Sequence, residues 1–424
     1  MTKKIRTWHL IFAFSLTLIF LRINLILRSI ELGEYFFELL FNDFYLAMNQ
    51  LNAGLVDAFF SLTILIIPVF IMFLRNKINI LRLNLDFPNA VIIILLFFFF
   101  YAPLVANFNP DFEKDISVTK LLPPFSTKKV LHLSTKNNDS SFYTKFIELK
   151  KNVVKEPFNE NIIIVDSIHF NDKIKYYQAN VVNDIPKIIL KYNFSHPIIT
   201  TNFYLLGTDE LGRDIFSRIV FGTRVSLFVG LSAVIISFVL GLGFGFLAGY
   251  PGGFLDVIMN RITEMFLVFP VLFFIILILA FFGNSLFSVI LVLGLSGWMS
   301  LFKIVRGEII SLKNKDYFIT AKLLGLSKKS LLIKEILPVI FPSVMANLVF
   351  LYGSVILSEA ALSYLGIGTG SSVPSWGSMI EAGQNYLSQA WWMILSPGLC
   401  LFVTLYVANK LGKKMQFYYN PRSK

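Results

Sequence analysis

Eight long apolar runs, separated by shorter polar loops, dominate the hydrophobic pattern of this 424-residue chain. A helix needs about 20 mainly apolar residues to cross the hydrocarbon core of a bilayer. The runs that approach or exceed this length are residues 8–27, 54–74, 89–106, 225–249, 265–282, 286–304, 339–362 and 391–411. The pattern therefore predicts an all-α polytopic membrane protein with about eight transmembrane helices.

The charges beside these runs predict how the chain is oriented. Lys3, Lys4 and Arg6 precede the first run, and lysines also follow the second and the last. Short cytoplasmic loops are enriched in lysine and arginine. If eight spans cross the membrane and both termini lie in the cytoplasm, the charge of every short loop agrees with this rule. Residues 107–224 then lie on the outer face. Because no small-residue cleavage site follows the first run, we expect it to be a retained signal anchor.

The outer segment contains an insert, residues 125–200, whose middle is polar and rich in lysine and asparagine. Short β-prone runs at 161–165 and 185–190 are bounded by Asn, Asp or Pro, which is typical of strands. Two alternatives stay open for the insert, a small β-rich domain and a mostly extended loop. The predicted divisions are an N-terminal extension with two extra helices (1–88), a first core helix with the start of the outer segment (89–124), the insert (125–200) and a five-helix core (201–424).

Composition supports a membrane protein and argues against several other classes. Hydrophobic residues make up 55% of the chain and charged residues only 15%, whereas soluble domains are about one quarter charged. The net charge of +12 lies mainly in loops beside apolar runs, so membrane lipid explains it and no nucleic acid is expected. With one cysteine and four histidines, the chain has no intrachain disulfide, and no cluster has metal-ligand spacing.

The most distinctive loop is the basic segment, residues 303–338, between the sixth and seventh runs. Gly325 falls where a first short helix should end, and Ser327 can cap the start of a second one. Pro338 then marks the entry into the next apolar run. The pattern predicts a stiff, positively charged helix–turn–helix on the cytoplasmic side.

The face of the first short helix suggests two uses. Phe318, Ala321 and Leu324 are predicted to lie on one side and Lys322 on another, which suits a groove on a partner protein. An amphipathic helix lying on anionic lipid explains the same residues equally well. The residues alone do not decide between these alternatives.

A charged turn precedes the fourth run, within residues 206–227. Its candidate site residues are Asp209, Glu210, Gly212, Arg213 and Asp214. From the residues alone we favour a capped, ion-paired turn that seats the next helix at the membrane surface.

Two features lie inside the predicted spans. Glu359 is an ionisable residue at membrane depth, which makes it a functional candidate, although a hydrogen bond to a neighbouring helix is the simpler explanation. Small residues of the fourth run predict a close-packing face. They are Gly241, Gly243, Gly245, Ala248 and Gly249.

Several motifs in this order resemble one transport family. They include Leu-Gly-Thr-Asp-Glu-Leu-Gly-Arg-Asp at 206–214, Tyr-Pro-Gly-Gly at 250–253, Leu-Ser-Glu-Ala-Ala-Leu-Ser-Tyr-Leu-Gly at 357–366 and Pro-Ser-Trp-Gly at 374–377. The string is similar to that of ABC-importer permeases of the dipeptide and oligopeptide C type. The resemblance covers about residues 89–124 and 201–422.

This resemblance implies a six-helix type I importer core and a transport subunit that is not itself an enzyme. It implies four kinds of protein or ligand partner: a second homologous permease, two ABC ATPase subunits, an extracytoplasmic substrate-binding protein and a peptide. It also implies the bacterial cytoplasmic (inner) membrane. No phosphate-binding Gly-x-x-x-x-Gly-Lys-Ser/Thr loop occurs in the chain, so we expect no bound cofactor here and ATP with magnesium on the ATPase subunits.

The basic segment then matches the family's coupling loop, which an ATPase subunit grips. The residues carried over to it are Asp316, Thr320, Ala321, Lys322, Gly325, Leu337 and Pro338. The chain departs from the pattern at the Glu-Ala-Ala signature, which reads Ile319-Thr320-Ala321. A contact made by the usual acid is therefore in doubt. The insert and the two extra N-terminal helices are further departures.

Other classes of function remain as alternatives. A secondary transporter or channel would show interior carboxylates, broken helices or repeats, and only Glu359 fits. A membrane enzyme would need a polar catalytic cluster, for which residues 209–218 are the single candidate. An importer of nickel or another small solute is the alternative within the family.

Overall fold

The computed structural model describes residues 7–65, 67–68, 86–134, 142–170, 174–179, 181–186, 190–193, 196–368 and 373–419. Within these ranges, six helices are long and apolar enough to cross a membrane. They are Thr7–Asn42, Phe87–Val105, Ile215–Gly249, Leu286–Lys313, Lys328–Tyr364 and Trp392–Phe417. The predicted all-α polytopic class is confirmed, and the chain is a multi-pass membrane protein.

The helices are numbered here in chain order over the described residues. They are α1 (Thr7–Asn42), α2 (Phe44–Gln50), α3 (Ala53–Ile64), α4 (Phe87–Val105), α5 (Ile116–Thr119), α6 (Phe142–Val154), α7 (Ile215–Gly249), α8 (Gly253–Val268), α9 (Val271–Phe282), α10 (Leu286–Lys313), α11 (Asp316–Leu323), α12 (Lys328–Ser330), α13 (Leu337–Tyr364), α14 (Trp376–Gly383) and α15 (Trp392–Tyr419). A π-helical turn, Leu331–Ile336, precedes α13, and a 3-10 turn, Gln384–Tyr386, follows α14.

Two of the eight predicted spans are not among these six helices. The run at 265–282 falls on a bent pair, because α8 and α9 meet at an angle of 91°. Pro270 lies at the bend and caps α9, while Phe269 before it is extended, as a residue preceding proline prefers. The run at 54–74 begins as α3, which has 12 residues, and most of its second half lies outside the described residues.

In its described residues, the insert combines small antiparallel sheets with helix α6. Strand β1 (Ser126–His132) lies between β2 (Ile162–Val165) and β8 (Ile199–Tyr204), with Lys129 opposite both Val165 and Thr201. The other strands are β3 (Ser167–Phe170), β4 (Ile174–Gln178) and β5 (Val181–Ile185), which form a second sheet, and the hairpin of β6 (Tyr192–Asn193) and β7 (His196–Pro197). The β-rich alternative is confirmed, and the run at 161–165 is β2. The run at 185–190 overlaps β5 only at Ile185, and residues 187–189 lie outside the described ranges.

The extension and the insert fold together. Helix α1 continues to Asn42, far beyond the predicted span at 8–27, and its 36 residues correspond to a length of about 54 Å. Its second half packs against α3 and α6 through a cluster that includes Leu32, Leu55 and Phe146, each completely buried. Two parts that the sequence pattern treats as separate additions therefore share one hydrophobic core.

The chain divides into two compact units, the first comprising Met1–Arg224 with Ala382–Pro397 and the second Val225–Glu381 with Gly398–Lys424. In the second unit, α7 packs closely on α10 through its small residues. A Cβ atom on Gly241 would lie 2.8 Å from Leu301, and one on Gly245 would lie 2.6 Å from Val305. The predicted close-packing face is confirmed at these positions, whereas Gly243 has no neighbour within 4 Å.

Candidate functional site

The basic segment forms the helix–turn–helix that its glycine predicts. Helix α11 ends at Leu323, and Gly325 adopts the left-handed φ of +78°. The Gly325 amide donates to the Lys322 carbonyl at 3.1 Å, and the Leu326 amide donates to the Ala321 carbonyl at 3.4 Å. This pair of hydrogen bonds is a Schellman motif, which satisfies the last carbonyls of a helix. Glycine suits the turn because other side chains are strained at this φ.

The second part of the segment starts from a serine cap. The Ser327 hydroxyl accepts a hydrogen bond from the Ser330 amide at 3.3 Å, and α12 begins beside it. A π-helical turn, which the sequence pattern does not predict, then joins α12 to α13. Pro338 lies in the first turn of α13, directly after this π-helical turn. Because proline has no N–H, it cannot donate to the carbonyl four residues before it, which lies in that turn.

A hydrophobic cluster anchors the basic segment to two long helices. Phe318 of α11 is only 4% exposed and belongs to a cluster with Leu312 of α10 and with Ile340 and Val344 of α13. The predicted docking face is therefore wrong for Phe318, which the protein buries against itself. We expect a displacement of α11 to move α10 and α13 as well, because close-packed interiors transmit strain.

The most exposed apolar side chains of this region lie at the end of α11. Leu323 is 81% exposed and Leu324 is 75% exposed, so neither side chain is covered within the chain. Of the predicted coupling residues, the exposed ones are Asp316, Thr320, Lys322, Gly325 and Pro338, and the half-buried ones are Ala321 and Leu337. Ile319, which stands where the family's acid is expected, is also exposed, at 46%.

An ion pair and a hydrogen bond to a carbonyl fix the end of α10, which contains the first residues of the basic segment. Arg306 of α10 makes a bidentate ion pair with Asp256 of α8, with distances of 2.5 and 2.7 Å between nitrogen and oxygen atoms. Lys313 at the end of α10 donates to the Tyr250 carbonyl at 2.7 Å. Paired forks of this kind fix orientation as well as distance. The basic segment thus begins on α10, whose C-terminal end is fixed by these contacts.

The charged turn at 209–214 is held by hydrogen bonds between its own residues. One carboxylate oxygen of Asp209 accepts the amides of Leu211 and Arg213 at 3.0 and 2.9 Å, and the other accepts the Arg213 guanidinium at 2.7 Å. Glu210 lies 3.5 Å from the same guanidinium. Asp209 and Arg213 are 4% and 6% exposed. The turn therefore keeps its central ion pair away from solvent.

Glycine allows this turn to pack on the preceding segment. Gly212 has a φ of +77°, and a Cβ atom there would lie 2.0 Å from the hydroxyl of Thr119. Thr208 accepts a hydrogen bond from the Trp392 indole at 3.2 Å through its carbonyl. Arg218, 3% exposed, donates to the Pro110 carbonyl at 3.1 Å. The turn therefore holds the segment after α4, the start of α7 and Trp392 together.

Asp214 caps the start of α7 from inside this buried turn. Its carboxylate accepts the Ser217 amide at 2.9 Å and the Ser217 hydroxyl at 2.6 Å, which is the bonding of an N-cap. Burial raises the pKa of the Asp214 carboxyl to about 6, although the Ser217 hydrogen bonds act in the opposite direction. Burial also raises the pKa of Glu210, with the neighbouring Asp209 charge adding to the effect. These carboxyls are structural groups in a largely buried turn.

Glu359 joins three parts of the second unit. It is completely buried in α13, and its carboxyl oxygens lie 2.9 Å from the Ser363 hydroxyl and 3.3 Å from the Ser226 hydroxyl of α7. The Ser226 hydroxyl also accepts the Trp376 amide at 3.2 Å. The simpler explanation, a polar contact between helices, describes this geometry, and serines are the hydrogen-bond partners seen at both carboxyl oxygens.

Comparisons with known proteins give the family. A family model described as binding-protein-dependent transport system inner membrane component matches residues 241–424. The dipeptide transport system permease protein DppC of Bacillus subtilis (strain 168) is 36% identical over 217 residues, which cover 51% of this chain and 68% of that protein. The chain belongs to this family of transport permeases.

A second relative agrees with this assignment. The oligopeptide transport system permease protein OppC of Escherichia coli (strain K12) is 35% identical to the permease over 230 residues, covering 54% of this chain and 76% of that protein. A chain of the MetNI methionine ABC transporter, in an inward-facing conformation, aligns with 13% identity and a TM-score of 0.39 over 47% of this chain and 97% of that chain. The matched range of the family model contains both Glu359 and the basic segment.

One polar site of the permease was not predicted from the sequence pattern. Arg224 in α7 donates to the carbonyls of Phe99 and Phe100 in α4, and its guanidinium is paired with Asp57 of α3. Pro103 has no N–H for the carbonyl four residues before it, which is that of Phe99. Arg224 thus supplies the hydrogen bond to the Phe99 carbonyl that Pro103 cannot donate.

Asp57 in turn gives Arg224 a counterion, and it comes from the N-terminal extension. A charge this close to an apolar helix is costly unless it is paired. The signals in the sequence were a proline inside the third run and a lone acid inside the second. Neither signal identifies its partner, because the contacts join residues far apart along the chain.

Proposed function

We propose that this permease is a membrane subunit of an ATP-driven ABC importer for dipeptides and oligopeptides in the bacterial inner membrane. The observation that carries the proposal is the basic segment. Its first helix, α11, is ended by a Schellman turn, is anchored to α10 and α13 through Phe318, and leaves Leu323 and Leu324 uncovered. A helix presented in this way suits a groove on a partner protein.

The proposed mechanism uses this helix as a lever. Each of two ATPase subunits binds ATP and magnesium and receives a coupling helix, one from this permease and one from a second homologous permease. Closure of the ATPases moves α11, and the buried cluster passes the motion to α10 and α13. Because Ile319 replaces the family's acid, the contact in this chain is more apolar and relies on Leu323 and Leu324.

The peptide substrate is proposed from the relatives, whose names describe dipeptide and oligopeptide transport. An extracytoplasmic binding protein delivers the peptide to a pathway between the two permeases. In this arrangement the basic segment and both termini face the cytoplasm, and the insert faces outward. The positive charges of the basic segment agree with that orientation.

Reconstitution with the partner subunits tests this function. The permease is expressed with its second permease and ATPase subunits, purified as a complex and placed in vesicles with the binding protein outside and ATP inside. We expect radiolabelled tripeptide to accumulate only with hydrolysable ATP. Uptake that is indifferent to ATP, or copurification without any ATPase, would contradict the proposal, and uptake of nickel in place of peptide would redirect it.

A further inference from the structure

The first unit contains a polar cleft that no transport motif explains. Its main chamber has a volume of about 790 Å³ and is bordered by the loop after α4, the turn between α6 and β2, the β1–β8 sheet and Asn52 of the extension. Ligand pockets usually have volumes of about 300–1,000 Å³. A second chamber of about 480 Å³ adjoins it. The residues common to both chambers are His132, Lys151, Asn152, Asn159, Asn161 and Ile162. The two chambers are therefore contiguous, and together they are here called the amide cleft.

Asparagine is the dominant residue of the main chamber. Its asparagines are Asn52, Asn107, Asn109, Asn152, Asn159, Asn161 and Asn202. Pocket walls are usually mainly apolar with a few polar groups. A wall with this many amides has more hydrogen-bonding capacity than packing alone requires.

Several of these amides have their orientation fixed by the protein. The side-chain oxygens of Asn52, Asn109 and Asn159 each accept a backbone amide at 2.9 Å, from Leu55, Asp111 and Asn161. The oxygen of Asn107 accepts the Arg22 guanidinium. Hydrogen-bond networks of this kind determine which end of an amide is oxygen. Within the described ranges, the NH₂ groups of these four side chains donate to no protein atom, so the cleft is rich in fixed donors.

The cleft has little net charge to offer a ligand. Lys155 is turned inward, where it donates to the Pro103 carbonyl at 3.0 Å and to the Ala106 carbonyl. Lys151 lies 3.8 Å from Glu156. The ring nitrogen of His132 is paired with the Thr200 hydroxyl at 2.8 Å, and burial, followed by the nearby Lys191 charge, lowers the pKa of His132. A strongly charged ligand would find no dominant opposite charge here.

The two ends of the cleft differ. Phe108 and Phe112 stack with ring centroids 5.9 Å apart beside the main chamber, and Phe158 is 55% exposed at its edge. The second chamber ends instead at Lys191 and Glu148, which lie 3.8 Å apart. One end therefore accepts apolar surface, and the other accepts charged or polar groups.

We propose that the amide cleft binds a short peptide in an extended conformation, with the asparagine NH₂ groups donating to its backbone carbonyls. An apolar side chain of the peptide packs on the phenylalanine end. A chain terminus lies at the Lys191–Glu148 end. A sugar, whose hydroxyls both donate and accept hydrogen bonds, is the alternative ligand that the test includes. The choice of peptide over another acceptor-rich, neutral ligand rests on the proposed function.

Two variants test the site without relying on transport. Asn159→Asp keeps the oxygen that accepts the Asn161 amide but replaces the NH₂ donor with an acceptor. Asn152→Trp fills the cleft from an exposed position on α6. The matched control is Lys145→Trp, which is also exposed on α6 but borders neither chamber.

The measurement is calorimetric binding of the tripeptide Ala-Phe-Ala to the full chain in lipid nanodiscs without partner subunits. We expect the unaltered chain and Lys145→Trp to bind with the same Kd, and both cleft variants to bind roughly tenfold more weakly or worse. Circular dichroism checks that all variants are folded. Equal binding by the cleft variants, no binding by the unaltered chain, or tighter binding of the trisaccharide maltotriose would overturn the inference.

This experiment separates the cleft from the proposed function. Peptide binding in nanodiscs without ATP-driven uptake by the complete complex would remove the transport proposal and leave the cleft. Uptake by the complete complex without binding by the unaltered chain would do the reverse.

Discussion

The charged turn at 209–214 and helix α11 of the basic segment use their charges in opposite ways. In the turn, Asp209 and Arg213 are buried and bonded to each other. In the basic segment, Lys322 and Asp316 of α11 are exposed, and beside them the most exposed side chains are leucines. Both regions look in the sequence like dense charged motifs next to a span.

This difference shows that the role of a charged motif depends on which of its side chains the rest of the chain leaves uncovered. The turn buries its ion pair and joins the segment after α4 to α7 and Trp392. Helix α11 of the basic segment buries only its Phe318 side, and it leaves apolar surface uncovered. Exposed apolar surface next to polar residues often marks an interaction site. The comparison predicts that mutations in the turn reduce stability, whereas mutations on the exposed face of α11 reduce coupling.

The largest expected effect is on the turn. Asp209→Ala removes the carboxylate from buried Arg213 and from two backbone amides. Losing one partner of a buried ion pair costs about 3–5 kcal/mol. We expect the free energy of unfolding, measured by thermal denaturation in detergent, to fall by that amount. Asp316→Ala, at an exposed acid of α11, should change it by less than about 0.5 kcal/mol, and comparable losses in the two variants would refute the contrast.

An intermediate effect is expected at the turn of the basic segment. Gly325→Val places a β-branched residue at a φ of +78°, a conformation that costs other residues about 1–2 kcal/mol. A Cβ atom there meets nothing within 4 Å, so the cost is one of backbone strain. We expect the helix–turn–helix to distort and ATP hydrolysis to lose its coupling to uptake.

The control for this variant is Gly307→Ala in α10, where a Cβ atom also meets nothing within 4 Å and the φ is not positive. It should leave the ratio of peptide transported to ATP hydrolysed unchanged. If Gly325→Val kept the same ratio as the unaltered permease, the turn would have no role in coupling.

Much of this structure follows from local patterns. The apolar runs predict the long helices, because each must satisfy its own backbone hydrogen bonds in lipid. Gly325 and Ser327 predict the turn of the basic segment, because helix ends have few chemical solutions. Helix α6 was missed, although Phe142, Phe146 and Leu149 recur at helical spacing.

The remaining features depend on contacts between distant residues. Asp57 is an isolated acid in the sequence, and only the fold places it beside Arg224. The buried position of Phe318 likewise depends on how α10 and α13 approach each other. Helical periodicity shows which residues share a face, but it does not show whether a neighbour in the same chain or in another protein covers that face.

The smallest expected effect on stability lies on that exposed face. Leu324→Ser changes a side chain that is 75% exposed, so the free energy of unfolding should shift by less than about 0.5 kcal/mol. Burying a leucine at an interface contributes about 1.5–3 kcal/mol, and its loss should weaken ATPase binding by roughly tenfold or more. Titration of the detergent-purified permease with ATPase subunits measures this, with Leu387→Ser, at an exposed leucine outside the basic segment, as the control. Unchanged ATPase affinity in Leu324→Ser would show that the uncovered leucine is not the contact, and the difference between the two regions would then be one of exposure alone.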